Sequence, residues 1–267
     1  MLANLAVVLF RPKFSENVGS TARAMANMGC RDLIVVSPQD FDEGRARALA
    51  TAKGQDILDR MTVTDGLAAA LAPFEAVYGT TARTGGWRKG LLTPETAAVR
   101  GAETIRAGGR IAVLFGPEDK GLTNDETQVC GRLVCIPTAV EASSLNLAQA
   151  VLIILYEFMK AATGRTRHAA EEAGSAPEPA AAPEEGGGGG AEPGRAATHK
   201  EREALFANLK ETLAAIDFLK DDNPDYWMLP VRAFIERIRL KRSEFNLLMG
   251  VCRQIKWAVG KGGRGRD

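Results

Sequence analysis

In the first part of the chain, short runs of almost unbroken hydrophobic positions alternate with longer stretches of helical periodicity. The runs lie at residues 5–10, 32–36, 76–78, 111–115 and 133–136. That alternation predicts a mostly parallel sheet with helices on its faces. The helix after the first strand is expected over 17–28, with Ser15 or Asn17 as N-cap and Gly29 as C-cap. The last helix of this region is expected from about 145 to 162. Its LAQAVLIILYEFM segment is apolar nearly all round, which predicts burial, in part against a second subunit.

The pattern breaks at 163–198, where Ala, Pro, Glu and five consecutive glycines at 186–190 read as a flexible linker. Helical spacing returns with Leu205, Leu209, Leu213 and Ile216, and Asn223-Pro224 interrupts it. Pro230 is expected to open a second helix and Ser243 to cap a third. The organisation expected is a domain over 1–162, a linker over 163–198 and a helical module with a basic tail over 199–267.

Charge changes the picture only locally. The 267 residues carry a net charge of +1, yet residues 231–266 hold ten Lys or Arg against Glu236 and Glu244. Such a surface suits phosphate contacts; its plainer reading is a solvated helical face. The two histidines, His168 and His199, fall in or beside the linker, which leaves His out of most catalytic and metal-binding schemes. Cys30, Cys130, Cys135 and Cys252 form no C-x-x-C pair and read as reduced thiols. The N-terminal run lacks a basic n-region, and the longest uncharged apolar stretch, 142–156, is too short to span a bilayer. A soluble cytoplasmic protein without membrane association is expected.

Three segments gather Gly, Asn, Ser and acidic residues at strand ends, where open α/β sheets place ligands. They are NVGSTARAMANMG, FGPEDKGLTN and IPTAVEASSLNLAQAV. In the second, Gly116, Gly121 and Thr123 match the spacing of a phosphate-binding loop, but Leu122 stands where that loop needs lysine. With Glu118 and Asp119 inside it, the loop would repel polyphosphate, which argues against a nucleotide hydrolase. It suits a neutral or cationic ligand with hydrogen-bonding groups, such as an adenosine bearing a sulfonium and an amino acid tail.

The three segments resemble the three motifs of the SPOUT (SpoU/TrmH-type) RNA ribose 2′-O-methyltransferases, written here as Asn17-x-Gly19 with Arg23, FGPExxGL, and IP followed by SSLNLAQAV. YGTTAR at 78–83, the SSLN form of the third motif and a C-terminal helical region ending in LLMGVCRQIKW are similar to the TrmJ-like branch. The resemblance implies a parallel α/β domain with a C-terminal trefoil knot, a homodimer, and S-adenosyl-L-methionine (AdoMet) as methyl donor. The substrate it implies is tRNA, methylated on the ribose of anticodon-loop nucleotide 32, cytidine or uridine. The same chemistry on rRNA, or a non-catalytic RNA-binding protein of this fold, are the alternatives.

By the same resemblance Thr80, Thr81, Ala82, Gly116, Ile136, Ser143, Ser144 and Leu145 would line the AdoMet pocket. Asn17, Arg23, Glu118, Ser144 and Asn146 would form the methyl-transfer site. A guanidinium holds its proton tightly, so Arg23 suits binding a phosphate and stabilising an alkoxide better than acting as a base. Arg23, Arg83, Arg88 and Lys89 are candidate phosphate contacts, and Trp87 a stacking surface. No metal ligand set is apparent.

Overall fold

A computed structural model describes residues 2–83, 90–164, 195–219 and 223–262. Six parallel strands form one sheet: β1 Leu5–Phe10, β2 Asp32–Val36, β3 Thr62–Thr64, β4 Ala76–Thr80, β5 Ile111–Phe115 and β6 Arg132–Val134. Their order is β3-β2-β1-β5-β4-β6. Parallel neighbours need long crossovers, and helices supply them: α1 Ser15–Met28, α2 Glu43–Leu49, α3 Ala52–Leu58, α4 Leu67–Leu71, α5 Pro94–Arg106 and α6 Asn124–Gln128. A 3-10 turn at Val140–Ala142 and α7 Leu147–Thr163 complete this part.

β1, β2 and β5 read as continuous apolar runs because both their faces are covered. Alternate residues of β1 divide cleanly. Leu5, Val7 and Leu9 pack with residues of α1, α5 and α7, whereas Ala6, Val8 and Phe10 pack with Ala70, Leu71, Phe74 and Leu122. The sequence order of the strands reverses between β1 and β5, the place where such sheets open a crevice at their C-terminal ends.

Several boundaries differ from expectation. Helix α1 starts at Ser15 behind Phe14, so Asn17 is its third residue and not its cap; Gly29 closes it at φ 70° as expected. β3 escaped the reading because it is a three-residue edge strand with exposed Val63. β6 ends at Val134, short of Ile136. Helix α7 is not buried all round within one chain, since Leu152, Ile153 and Tyr156 face solvent.

The C-terminal module comprises α8 His199–Ala215, α9 Pro224–Arg237 and α10 Arg242–Gly262, around Ala197, Leu205, Phe206, Ile235, Leu240 and Phe245. Residues 195–198, expected in the linker, belong to it: Ala196 bridges Lys241, and Thr198 caps α8 in a reciprocal box with Glu201. His199 itself is buried in the first turn of α8; His168 lies outside the described residues. Asn223 caps α9, with Pro224 following, and Pro230 lies inside the helix instead of opening it. α10 begins at Arg242, so Ser243 is already helical and not the cap. The basic excess of this module is partly neutralised, because Arg232 pairs with Glu203, Arg242 with Glu201 and Lys256 with Glu211 inside it, and Arg239 with Glu75 of the sheet domain. No helix among the described residues is long and apolar enough to cross a membrane.

Candidate active site

Three loops converge at the C-terminal ends of β4, β5 and β6. The loop after β5 doubles back through the Gly121 N–H, which donates to the Pro117 carbonyl at 2.8 Å. This brings the chain onto itself so closely that a Cβ at Gly116 would lie 2.5 Å from the Gly121 carbonyl carbon and the Leu122 nitrogen. Leu122, where a phosphate-binding loop would carry its lysine, is buried in the core, so the loop cannot present a cation there.

Between this loop, the end of β4 and the segment before α7 lies a cavity of about 370 Å³. Its walls include every residue expected at the cofactor: Thr80, Thr81, Ala82, Gly116, Ile136, Ser143, Ser144 and Leu145. The Thr80 hydroxyl donates to the Leu114 carbonyl at 3.1 Å, which locks β4 to β5 at the cavity edge. Arg83, expected at RNA, also lines the cavity and donates to the Lys120 carbonyl at 2.9 Å. Arg88, Lys89 and Trp87 lie outside the described residues.

A more open pocket adjoins it, lined by Phe14, Glu16, Asn17, Glu118, Ser144, Leu145 and Asn146. Glu118, Ser144 and Leu145 border both spaces. Here a relay of side chains fixes the geometry. Asn146 caps α7, its Oδ1 accepting from the Ala148 N–H at 3.0 Å and the Gln149 N–H at 3.4 Å. Its Nδ2 then donates to Asn17 Oδ1 at 2.9 Å, and Asn17 Nδ2 donates to Glu118 Oε1 at 2.8 Å. Since Asn146 must accept from the helix, the orientation of both amides is determined.

Glu118 also serves α1. Its Oε2 accepts from the Lys13 backbone N–H at 2.9 Å, and Oε1 from the Phe14 N–H at 3.5 Å. A carboxylate near a helix N-terminus interacts favourably with the macrodipole, and here it also fixes the chain just ahead of α1, which has no side-chain cap of its own. Neighbouring Asp119 accepts from Lys13 Nζ at 2.7 Å, which holds the Asp119 carboxyl below its usual range.

The structure thus brings Asn17, Glu118, Ser144 and Asn146 together and leaves Arg23 apart. Six residues further along α1, a side chain points roughly 120° away and about 9 Å along the axis. Arg23 is exposed and lines neither pocket. Phe14 and Lys13 were not legible as site residues, although Lys13 carried a weak signal in its charge ahead of the first motif. Asp119 stood inside the second motif, where its charge was read only as repelling polyphosphate.

The SpoU rRNA methylase family profile matches residues 4–156, and that of the C-terminal domain of the tRNA methyltransferase TrmJ matches residues 200–264. A tRNA (cytidine/uridine/adenosine-2′-O-)-methyltransferase TrmJ of Pseudomonas aeruginosa is 36% identical over 251 residues, 94% of this chain and 93% of its own. A tRNA (cytidine/uridine-2′-O-)-methyltransferase TrmJ of Yersinia pestis is 34% identical over 258 residues, covering 96% and 93%. Among solved structures, TrmJ from Z. mobilis ZM4 superposes with a TM-score of 0.71 at 29% identity, covering 95% of this chain and all of that one. A probable methylase family protein from Haemophilus influenzae gives 0.58 at 27% identity, with 98% of this chain covered.

Proposed function

The chain belongs to the SpoU methylase family and is a methyltransferase of its TrmJ branch, and from that premise we propose that it methylates a ribose 2′-hydroxyl of tRNA, at anticodon-loop nucleotide 32, with AdoMet as donor. The observation that carries this reading is the pair of adjoining pockets sharing Glu118, Ser144 and Leu145. One is backbone-lined and of a size, about 370 Å³, suited to a small cofactor. The other has a polar floor.

AdoMet supplies a methyl group made electrophilic by its sulfonium. The backbone groups of residues 80–82, 116 and 143–145 offer it hydrogen bonds, Val134, Ile136, Leu145 and Leu147 offer apolar walls, and Glu118 and Asp119 favour its positive charge. Ser144, bordering both pockets, would lie between the donor and the ribose. Asn17 and Asn146 each keep one amide hydrogen beyond the relay, and both are donors for the ribose oxygen as it attacks the methyl; the sulfonium becomes a neutral thioether and the hydroxyl proton passes to solvent water. Glu118, already accepting from three N–H groups, organises the site and is not its base.

Arg23 enters from outside this pocket, through the RNA backbone or a second copy of the chain. A homodimer that covers Leu152, Ile153 and Tyr156 of α7 belongs to the same reading, as do the C-terminal knot and a cytoplasmic setting among tRNA. The test is transfer of labelled methyl from AdoMet into tRNA and, separately, rRNA, followed by nuclease mapping of the modified ribose. Label in the anticodon loop is expected. Label confined to rRNA keeps the chemistry and replaces the substrate; AdoMet binding with no transfer to either RNA overturns the reading.

A further inference from the structure

Phe14 breaks a local rule. It holds the N-cap position of α1 with φ −114° and ψ 119°, where Ser, Thr, Asp or Asn would satisfy a free helix amide. No side chain caps α1; Glu118 accepts only from the Lys13 and Phe14 N–H groups just ahead of it, so position 14 carries a residue that does nothing for the helix end. Nor does its ring serve packing. It belongs to none of the three hydrophobic clusters among the described residues and is 56% exposed. A hydrophobic staple would place the apolar residue one position earlier, where Lys13 stands. The ring borders the more open pocket beside Asn17, Glu118 and Asn146.

We propose that Phe14 is the stacking platform for the base of the nucleotide whose ribose enters this pocket. The inference rests on the methyl-transfer reading of the site and adds how the nucleotide is gripped. The pocket floor is polar and suits a ribose, whereas Phe14 is an exposed aromatic face at its edge, suited to a base. Every base presents a π-face, so stacking holds the nucleotide without reading its hydrogen-bonding edge. A site built this way tolerates pyrimidine and purine alike at the target position.

The experiment uses the full-length chain, an unmodified tRNA transcript containing the mapped target, and the same tRNA with that one nucleotide abasic. On the intact tRNA, Phe14→Ala is expected to lower kcat/KM roughly ten- to hundredfold, the range that loss of one base–aromatic stack produces. Phe14→Tyr and Phe14→Trp restore most of it, whereas Phe14→Leu, apolar but without a π-face, does not. AdoMet affinity and the sedimentation coefficient stay unchanged in all four variants. On the abasic tRNA, wild type and Phe14→Ala become equal, because the partner of the ring is gone.

The proposal is overturned if Phe14→Leu matches wild type, if the Phe14→Ala penalty persists on the abasic substrate, or if Phe14→Ala weakens AdoMet binding or dissociates an oligomer. Failure of the wild-type enzyme on every RNA is a different result: it removes the methyl-transfer reading and the stacking role with it.

Discussion

Asn146 does two jobs with one amide, and its substitutions separate them. Its oxygen caps α7 and its nitrogen aligns Asn17. Asn146→Asp keeps an oxygen for the helix, and Asp is as good a cap as Asn. Its second oxygen, however, would face Asn17 Oδ1, and flipping Asn17 would only turn that oxygen onto Glu118. Asn146→Asp is therefore expected to hold its urea midpoint while turnover falls at least about tenfold, in keeping with loss of a preorganised donor. Asn146→Ala should lose the activity and also about 1 kcal/mol of stability. Gly116 governs the neighbouring cavity. Its missing Cβ lets the loop fold back onto Leu122, so Gly116→Ala must displace residues 116–122 and should weaken AdoMet binding in calorimetry, with the parallel sheet intact by circular dichroism. Arg23→Ala, remote from both pockets, should abolish turnover and leave AdoMet binding unchanged; lost cofactor affinity would make Arg23 structural.

At the level of elements, legibility followed burial. β1, β2 and β5 were readable to the residue because two covered faces leave unbroken apolar runs. β3, pairing only β2 through Thr62–Thr64, has no such run and left no trace. The cofactor cavity was readable because its residues sit in motifs at strand ends. Phe14 and the Glu118 anchor of the chain before α1 were not, since a bond supplied from more than a hundred residues away leaves no local pattern. α9 was misplaced because two prolines compete for its start. Asn223, whose side chain accepts from the Tyr226 N–H at 3.1 Å, makes Pro224 the better first residue, and Pro230 is carried within the helix. α7 shows the reverse case, a pattern more apolar than one chain uses. Its inner face packs through Val151, Ile154, Leu155 and Phe158, with Gly101 of α5 so close that a Cβ there would meet the Phe158 ring at 2.4 Å. Its outer face keeps Leu152, Ile153 and Tyr156 exposed. If a second copy covers them, Ile153→Lys with Tyr156→Glu should halve the mass in sedimentation equilibrium without unfolding the chain. Retention of a dimer would place the interface elsewhere.

Across the whole molecule, the helical module docks on the α4 face of the sheet, the face opposite α7, so it leaves the exposed stripe of α7 uncovered. The seam is polar. The N–H groups of His199 and Lys200 at the start of α8 donate to the Phe74 and Ala72 carbonyls at 2.6 and 3.4 Å, which satisfies free groups of α8. Arg239 forks onto Glu75 at 2.6 and 3.1 Å, and Arg232 reaches both Glu203 and the Gln128 carbonyl. His199 is 3% exposed at this seam, and its Nδ1 has no hydrogen-bond partner. Burial, reinforced by Arg202 and Arg232 and opposed by Glu203, pushes its imidazole down to about 4. In the unfolded chain the ring takes its proton near pH ~6.5. Between these values the unfolded chain binds more protons than the folded one, so stability is full above about pH 6.5 and falls as the pH drops toward 4. The difference corresponds to ~3 kcal/mol at its limit, a large share of what holds a small helical module in place. The module should therefore loosen before the sheet does on mild acidification. Urea unfolding followed by Trp227 and Trp257 fluorescence, both in the module, is expected to shift to lower midpoint between pH 7.5 and 5. In His199→Gln, which cannot titrate, most of that shift should vanish; equal shifts in the two proteins would assign the acid sensitivity to carboxylates of the seam instead.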